Sequence, residues 1–129
     1  TDGDVLGALY VSDPKYNVDM FIGIGGGPEG VLAASALDAY DCHFQGRFIF
    51  DNEKDIKEAK KMGIDDLDKK YELNEIVKGD SIFCSTGITT SNVLNGITFD
   101  KDKYLSETLV THKSSNYKKI IKSINSINE

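Results

Sequence analysis

Apolar positions along this chain cluster in short blocks, and the spacing inside each block separates helix from strand. Val5, Leu6, Ala8 and Leu9 recur at helical intervals. They predict a helix from Asp4 to Tyr10 that stops near Asp13-Pro14, because proline disfavours helix at the residue before it. From Val18 to Gly25 the run VDMFIGIG is almost continuously apolar and ends in glycines. That is the pattern of a strand buried on both faces in a helix-covered sheet. Pro28 suits the first turn of the next helix, which the apolar spacing carries to Leu37 or Ala39.

Phe44 to Phe50 reads as a second strand. Asn52 to Met62 follows as a helix with a charged outer face, closed by Gly63, with Lys60 and Lys61 complementing its C-terminal dipole. Lys70 to Leu73 fits a short strand, Asn74 can cap a brief helix through Val77, and Asp80 to Ser85 is a further buried strand. Tyr104 to Thr111 and Tyr117 to Ile124 flank the polar tip His112 to Asn116 and predict a terminal β-hairpin, with residues 123–129 as a frayed tail. The expected fold class is α/β: a mixed, mostly parallel sheet flanked by helices with a C-terminal β-hairpin, in a single domain over residues 1–129.

A chain of 129 residues with 40% hydrophobic content can bury one core. Its net charge of −6 argues against an unassisted grip on nucleic acid or an anionic membrane, since both need clustered Lys and Arg. An anionic substrate would need a counter-charge, most simply a metal ion. Cys42 and Cys84 form no C-x-x-C pair and read as small buried residues of a reducing, cytoplasmic compartment. The apolar stretches are too short to span a bilayer, so a soluble protein is expected. The chain opens on Thr1 followed at once by Asp2-Gly3-Asp4, which reads as part of a longer protein.

The stretch GIGGGPEG carries the most chemistry. Gly25, Gly27 and Gly30 have the G-x-G-x-x-G spacing of a dinucleotide-binding turn, and Asp51 follows about 20 residues later. Glu29, however, falls in the first helical turn, where a phosphate would need the free amides and the positive dipole end. Pro28 removes one of those amides. Two roles remain for Glu29: stabilising its own helix terminus, or ligating a divalent cation such as Mg²⁺ or Mn²⁺ that bridges to a phosphate. Asp2 and Asp4, flanking Gly3, divide in the same way between ligand contact and helix capping. Ser85 to Ser91 forms a hydroxyl-rich loop at a strand end, with packing or capping as its default role. His43 and His112 read as solvated or core residues.

Several separated blocks together resemble one family: Asp2-Gly3-Asp4-Val5, Ile24 to Val31, Ala59 to Ile64, Val77 to Asp80, and Ser85-Thr86-Gly87-Ile88-Thr89. The sequence resembles the C-terminal part of the class II fructose-1,6-bisphosphatases, bacterial-type enzymes that sometimes also act on sedoheptulose bisphosphate. By that resemblance Glu29 is a metal ligand, Asp2, Gly3 and Asp4 hold the sugar phosphate, and Gly26 lies against substrate. Position 27, often alanine in the family, is glycine here. Further acidic ligands and a catalytic threonine belong to an N-terminal half without counterpart in this sequence, so no catalytic residue is assigned within residues 1–129.

The resemblance implies a Mn²⁺- or Mg²⁺-dependent hydrolysis of fructose 1,6-bisphosphate to fructose 6-phosphate and phosphate, in gluconeogenesis. It also implies an N-terminal domain as partner, assembly into homodimers or tetramers, and an inactive fragment when this part stands alone. The alternative is a Rossmann-like nucleotide-binding or regulatory module without catalysis, in which Asp51 would contact ribose.

Overall fold

In the computed structural model, which describes residues 4–127 without the side chain of Asp4, helix α1 (Asp4–Leu9) runs into two single-turn 3-10 segments, Tyr10–Ser12 and Pro14–Tyr16. Asp13 caps the second of these by accepting the Lys15 amide at 3.0 Å. Residues 18–26 form neither helix nor strand, with a bend at Asp19, and α2 (Gly27–Asp38) follows directly. Ala33, Ala34, Ala36 and Leu37 make its buried stripe. The small side chains let α2 lie close to its neighbours.

Next come β1 (Gln45–Gly46), α3 (Glu53–Lys61), β2 (Tyr71–Glu72) and α4 (Leu73–Ile76). Local chemistry sets both ends of α3. Asn52 accepts the Asp55 amide at 3.0 Å as its N-cap. Gly63, at φ 84°, turns the chain out, its amide bonding Lys60 O and the Ile64 amide bonding Ala59 O, both at 3.0 Å. This is a Schellman closure, and the left-handed backbone at Gly63 is why glycine stands there.

The main sheet contains β3 (Ile82–Thr86), β4 (Thr98–Asp100), β5 (Lys103–His112) and β6 (Tyr117–Ser126). β5 is its centre: β6 pairs along one edge, while β3 and β4 share the other. Phe83 from β3 and Leu109 from β5 point into a core shared with Ala8, Leu9, Ala33, Ala36, Leu37 and Leu94. Burying each of the larger side chains contributes about 1.5–3 kcal/mol. The hairpin tip is tied to its surroundings by charge. Lys113 Nζ lies 2.9 Å from Asp38 and 3.7 Å from Asp41. It offsets the carboxylate that Asp38 places at the negative end of α2, whose last turn contains no basic residue. On the other side of the tip, His112 Nε2 lies 2.9 Å from Asp80, and Ser114 Oγ donates to the same carboxylate.

The structure corrects several expectations. Every strand pair among the described residues is antiparallel, so the sheet is not mostly parallel. The run 18–25, expected to be a buried strand, enters no ladder and bends at Asp19, with Met20, Ile22 and Ile24 exposed. A parallel ladder needs a strand at the far end of a crossover, and none of the described strands takes that place beside this run. Only Gln45 and Gly46 of the expected strand 44–50 enter a ladder. Phe48 instead packs edge-on against Tyr71, ring centroids 5.7 Å apart, so the apolar pattern there encodes an aromatic cluster.

Helix α4 begins one residue before Asn74, with Glu72 at its cap position and Glu75 accepting the Glu72 amide at 3.0 Å. The expected fray over residues 123–129 is paired strand as far as Ser126, which lies opposite Lys103, and Ile127 N donates to Asp102 O at 2.8 Å. Cys84 is exposed rather than buried, because strand alternation turns it away from the face that buries Phe83. Cys42 is half-buried, and that burial, reinforced by the Asp41 carboxylate, pushes its thiol up.

Candidate functional site

The N-terminus of α2 is assembled by three consecutive choices of residue. Gly26 takes the cap position in extended backbone, φ −68° and ψ 152°, and its carbonyl accepts the Gly30 amide at 3.1 Å. Pro28 fits the first turn and removes one amide donor from it. Glu29 is the acidic residue of that turn, where the positive end of the dipole favours a carboxylate. Its side chain folds back toward the cap: a Cβ built on Gly26 would collide with Glu29 Oε2. A Cβ at Gly27 or Gly30 would meet nothing within 4 Å. Of these three glycines, only Gly26 is constrained by an atom lying over it.

Phe21, itself 40% exposed, lies on the approach to this turn. Its ring covers Gly7 of α1, where a Cβ would stand 2.6 Å from Phe21 Cε2. The glycine thus leaves room for the ring against the first helix. Asp2 and Gly3 lie outside the described residues, as does the side chain of Asp4, whose backbone opens α1. Of the sequence-predicted site residues, Gly26 and Glu29 are therefore the pair seen together.

Glu29 makes no side-chain hydrogen bond or ion pair among the described residues and is exposed, which leaves its oxygens available to a ligand. Among the described residues no group of three or more His, Cys, Asp or Glu side chains converges on a common point. A hard divalent cation takes about six oxygen ligands. The described residues therefore fit one position of a metal site and do not complete it. Two open clefts, of about 320 and 470 Å³, lie elsewhere: one beside Tyr16, Tyr40 and Lys118, the other beside Thr90, Glu107 and Lys122. Asp51 and His43 are exposed.

The hydroxyl-rich loop after β3 is held by its own bonds. Ser91 Oγ accepts the amides of Val93 and Leu94 at 3.2 and 3.0 Å, and Thr90 Oγ1 accepts the Gly96 amide at 3.0 Å. Gly87 and Gly96 let two backbone segments touch, since a Cβ would stand 2.5 Å from Asn95 O in the first case and 2.7 Å from Ile88 O in the second. These contacts give the loop a packing role.

Glu107 completes that arrangement and was not singled out by motif. It accepts the Asn95 amide at 2.8 Å and the Asn95 side chain at 2.9 Å, and lies 3.0 Å from Lys122 Nζ. The Asn95 amide, then its side chain, then Lys122 hold the carboxyl well below its ordinary range, at about 2. Its one signal in the sequence is a carboxylate inside the otherwise uncharged stretch Tyr104 to Thr111 of the predicted strand.

Residues 1–125 match the model of a family described as bacterial fructose-1,6-bisphosphatase, glpX-encoded. The chain belongs to this family. The chain is also similar to relatives named D-fructose 1,6-bisphosphatase class 2/sedoheptulose 1,7-bisphosphatase. That of Prochlorococcus marinus strain MIT 9515 is 36% identical over 124 residues, which cover 85% of this chain and 37% of the relative. That of Thermosynechococcus vestitus is 33% identical over 138 residues, covering 96% of this chain and 40% of the relative. The chain thus spans well under half the length of these relatives. No helix among the described residues is long and apolar enough to cross a membrane.

Proposed function

We propose that this chain is the C-terminal α/β part of a divalent-metal-dependent fructose-1,6-bisphosphate 1-phosphatase that works in the cytoplasm, in gluconeogenesis, and also accepts the seven-carbon bisphosphate. The observation that carries the reading is Glu29: an exposed carboxylate with no protein partner among the described residues, set at a helix N-terminus within the family-matched region.

In this reading Glu29 supplies one oxygen ligand to Mn²⁺ or Mg²⁺, and Gly26 keeps the backbone bare where substrate approaches. Asp2 and Asp4 accept hydrogen bonds from sugar hydroxyls, and Gly3 lets the two carboxylates turn to one ligand. The remaining metal ligands and the catalytic groups come from the N-terminal part of the family chain. When bound, the ions supply charge neutralisation at the phosphoryl group. What residues 1–129 themselves contribute is orientation, which can account for much of a rate enhancement. Assembly into a homodimer or tetramer belongs to the same proposal.

The test is phosphate release by the full-length protein with and without Mn²⁺ or Mg²⁺. Loss of an outer-shell group costs metal sites about 10–100-fold, so Glu29→Ala, removing a direct ligand, is expected to cost about 100-fold or more. Unchanged turnover in that variant would return Glu29 to helix stabilisation alone. A nucleotide-binding module fits less well, because the first turn of α2 holds Pro28, which lacks an amide donor, and the Glu29 carboxylate, where a pyrophosphate would need free amides and the positive dipole end. Calorimetric binding of NAD without metal would reverse that preference.

A further inference from the structure

Asn95-Gly96 is the one Asn-Gly pair in the chain, and the usual structural reason for such a pair is missing. Asn-Gly commonly marks a tight turn that needs left-handed backbone, yet neither residue has a positive φ. Each stands there for a contact of its own. Asn95 gives Glu107 two hydrogen bonds at once, from its backbone amide to Oε2 at 2.8 Å and from its side-chain amide to Oε1 at 2.9 Å. Gly96 is buried where a second backbone segment crosses, so that an added Cβ would stand 2.7 Å from Ile88 O and from Thr90 N. Packing thus sets side by side two residues that can react with each other.

The chemistry is an internal displacement at Asn95 Cγ. The Gly96 amide gives up its proton to hydroxide, its nitrogen bonds to Cγ, and the side-chain nitrogen takes a proton from water and leaves as ammonia, closing a succinimide ring. Water then opens the ring. Cleavage of the new N–Cγ bond gives aspartate, and cleavage of the bond from that nitrogen to the Asn95 main-chain carbonyl gives isoaspartate, whose chain runs through Cβ and Cγ. A following glycine favours closure, because no Cβ restrains the backbone swing that brings its nitrogen to Cγ. In the fold both reacting groups are occupied. The Gly96 amide donates to Thr90 Oγ1 at 3.0 Å, and the departing nitrogen donates to Glu107, itself 3.0 Å from Lys122 Nζ. We propose that Asn95-Gly96 is a deamidation site that Thr90 and Glu107 hold closed, so that the loop after β3 ages covalently when those bonds open. The carboxylate formed would face Glu107 where an amide donor stood, and like charges at that distance oppose reclosure. The inference does not rest on the activity proposed above.

Full-length protein held in mildly alkaline buffer tests it without substrate, metal or turnover. Aspartate and isoaspartate at position 95 are read from peptide mass and from isoaspartyl methylation. In Thr90→Val, which removes the acceptor and keeps the branched shape, deamidation is expected to run about 5- to 10-fold faster, the factor that one hydrogen bond carries. Thr90→Ser, which keeps the hydroxyl, is expected to stay at the parent's rate. The folded parent is expected to react about 100-fold or more slowly than the same protein unfolded in urea, since a loop tied to the core opens rarely. Equal rates in the parent and Thr90→Val would overturn the proposal, as would an equal acceleration in Thr90→Ser. A folded parent that reacts as fast as the unfolded one would overturn it too. Should Thr90→Val fail to fold, that comparison within the parent decides.

Discussion

The Glu29 carboxylate folds back across Gly26 and takes the volume that any side chain at position 26 would need. The contact is with the mobile end of a glutamate, so it displaces easily, and the φ of −68° at Gly26 is open to any residue. In the full-length protein Gly26→Ala should therefore leave stability within about 1 kcal/mol of the parent, the usual range for a change at a cap. It should nevertheless raise the Mn²⁺ concentration needed for half-maximal phosphate release. Thermal unfolding and a metal titration on the same sample separate the two effects, and an unshifted titration would count against Glu29 as a ligand.

Glu107 should govern part of the acid sensitivity. Its folded-state value of about 2 lies below the ordinary 4.5, so its contribution to stability is complete above about pH 4.5 and fades as pH falls toward 2. Asp80, lowered by the Ser114 hydroxyl and then by His112, acts in the same direction. Glu107→Gln should lower the urea midpoint near neutral pH and flatten its decline on the acid side. A decline as steep as the parent's would assign the acid limb to other carboxylates.

Thr111 is 1% exposed, and its hydroxyl finds no partner among the described residues. An unsatisfied buried polar group costs about 1–3 kcal/mol. Thr111→Val keeps the branched shape on β5 and should stabilise the protein by about 1 kcal/mol in denaturant unfolding. A destabilised variant would mean that the hydroxyl is bonded in the complete molecule.

Gly87→Ala should be costly for a steric reason, since the new methyl would stand 2.5 Å from Asn95 O and 3.0 Å from Leu94 Cβ. Overpacking of this kind costs about 1–3 kcal/mol. Phe83→Ala, which opens a cavity in the shared core, should cost about 3–5 kcal/mol. Comparing the two by urea unfolding tests whether the loop after β3 is a rigid part of the core. A neutral Gly87→Ala would show that it yields.

Which elements are legible from sequence follows from how local their signals are. α3 is bounded by Asn52 and Gly63, each acting within a few residues, and the β5–β6 hairpin by a polar tip between two apolar-rich strands. The run 18–25 is different: its composition encodes burial but not a partner, and a partner is what makes extended chain into sheet. β4 escapes notice because Thr98–Asp100 is short and exposed throughout. At the site, the sequence places Pro28 and Glu29 in the first helical turn, and the structure adds Gly26 as its cap. That the carboxylate turns back over the glycine depends on a rotamer, which no pattern of residue types specifies.

Lys113 reaches the helix that carries Glu29 from its other end. Its contact with Asp38 holds the far end of α2, a helix of 12 residues and so about 18 Å long, whose near end carries Glu29. Over that lever a rotation of about 3° moves the near end by about 1 Å, a displacement that can change a rate by about 100-fold. A charge on a hairpin tip, far along the chain from position 29, thus bears on the other end of the helix that carries it.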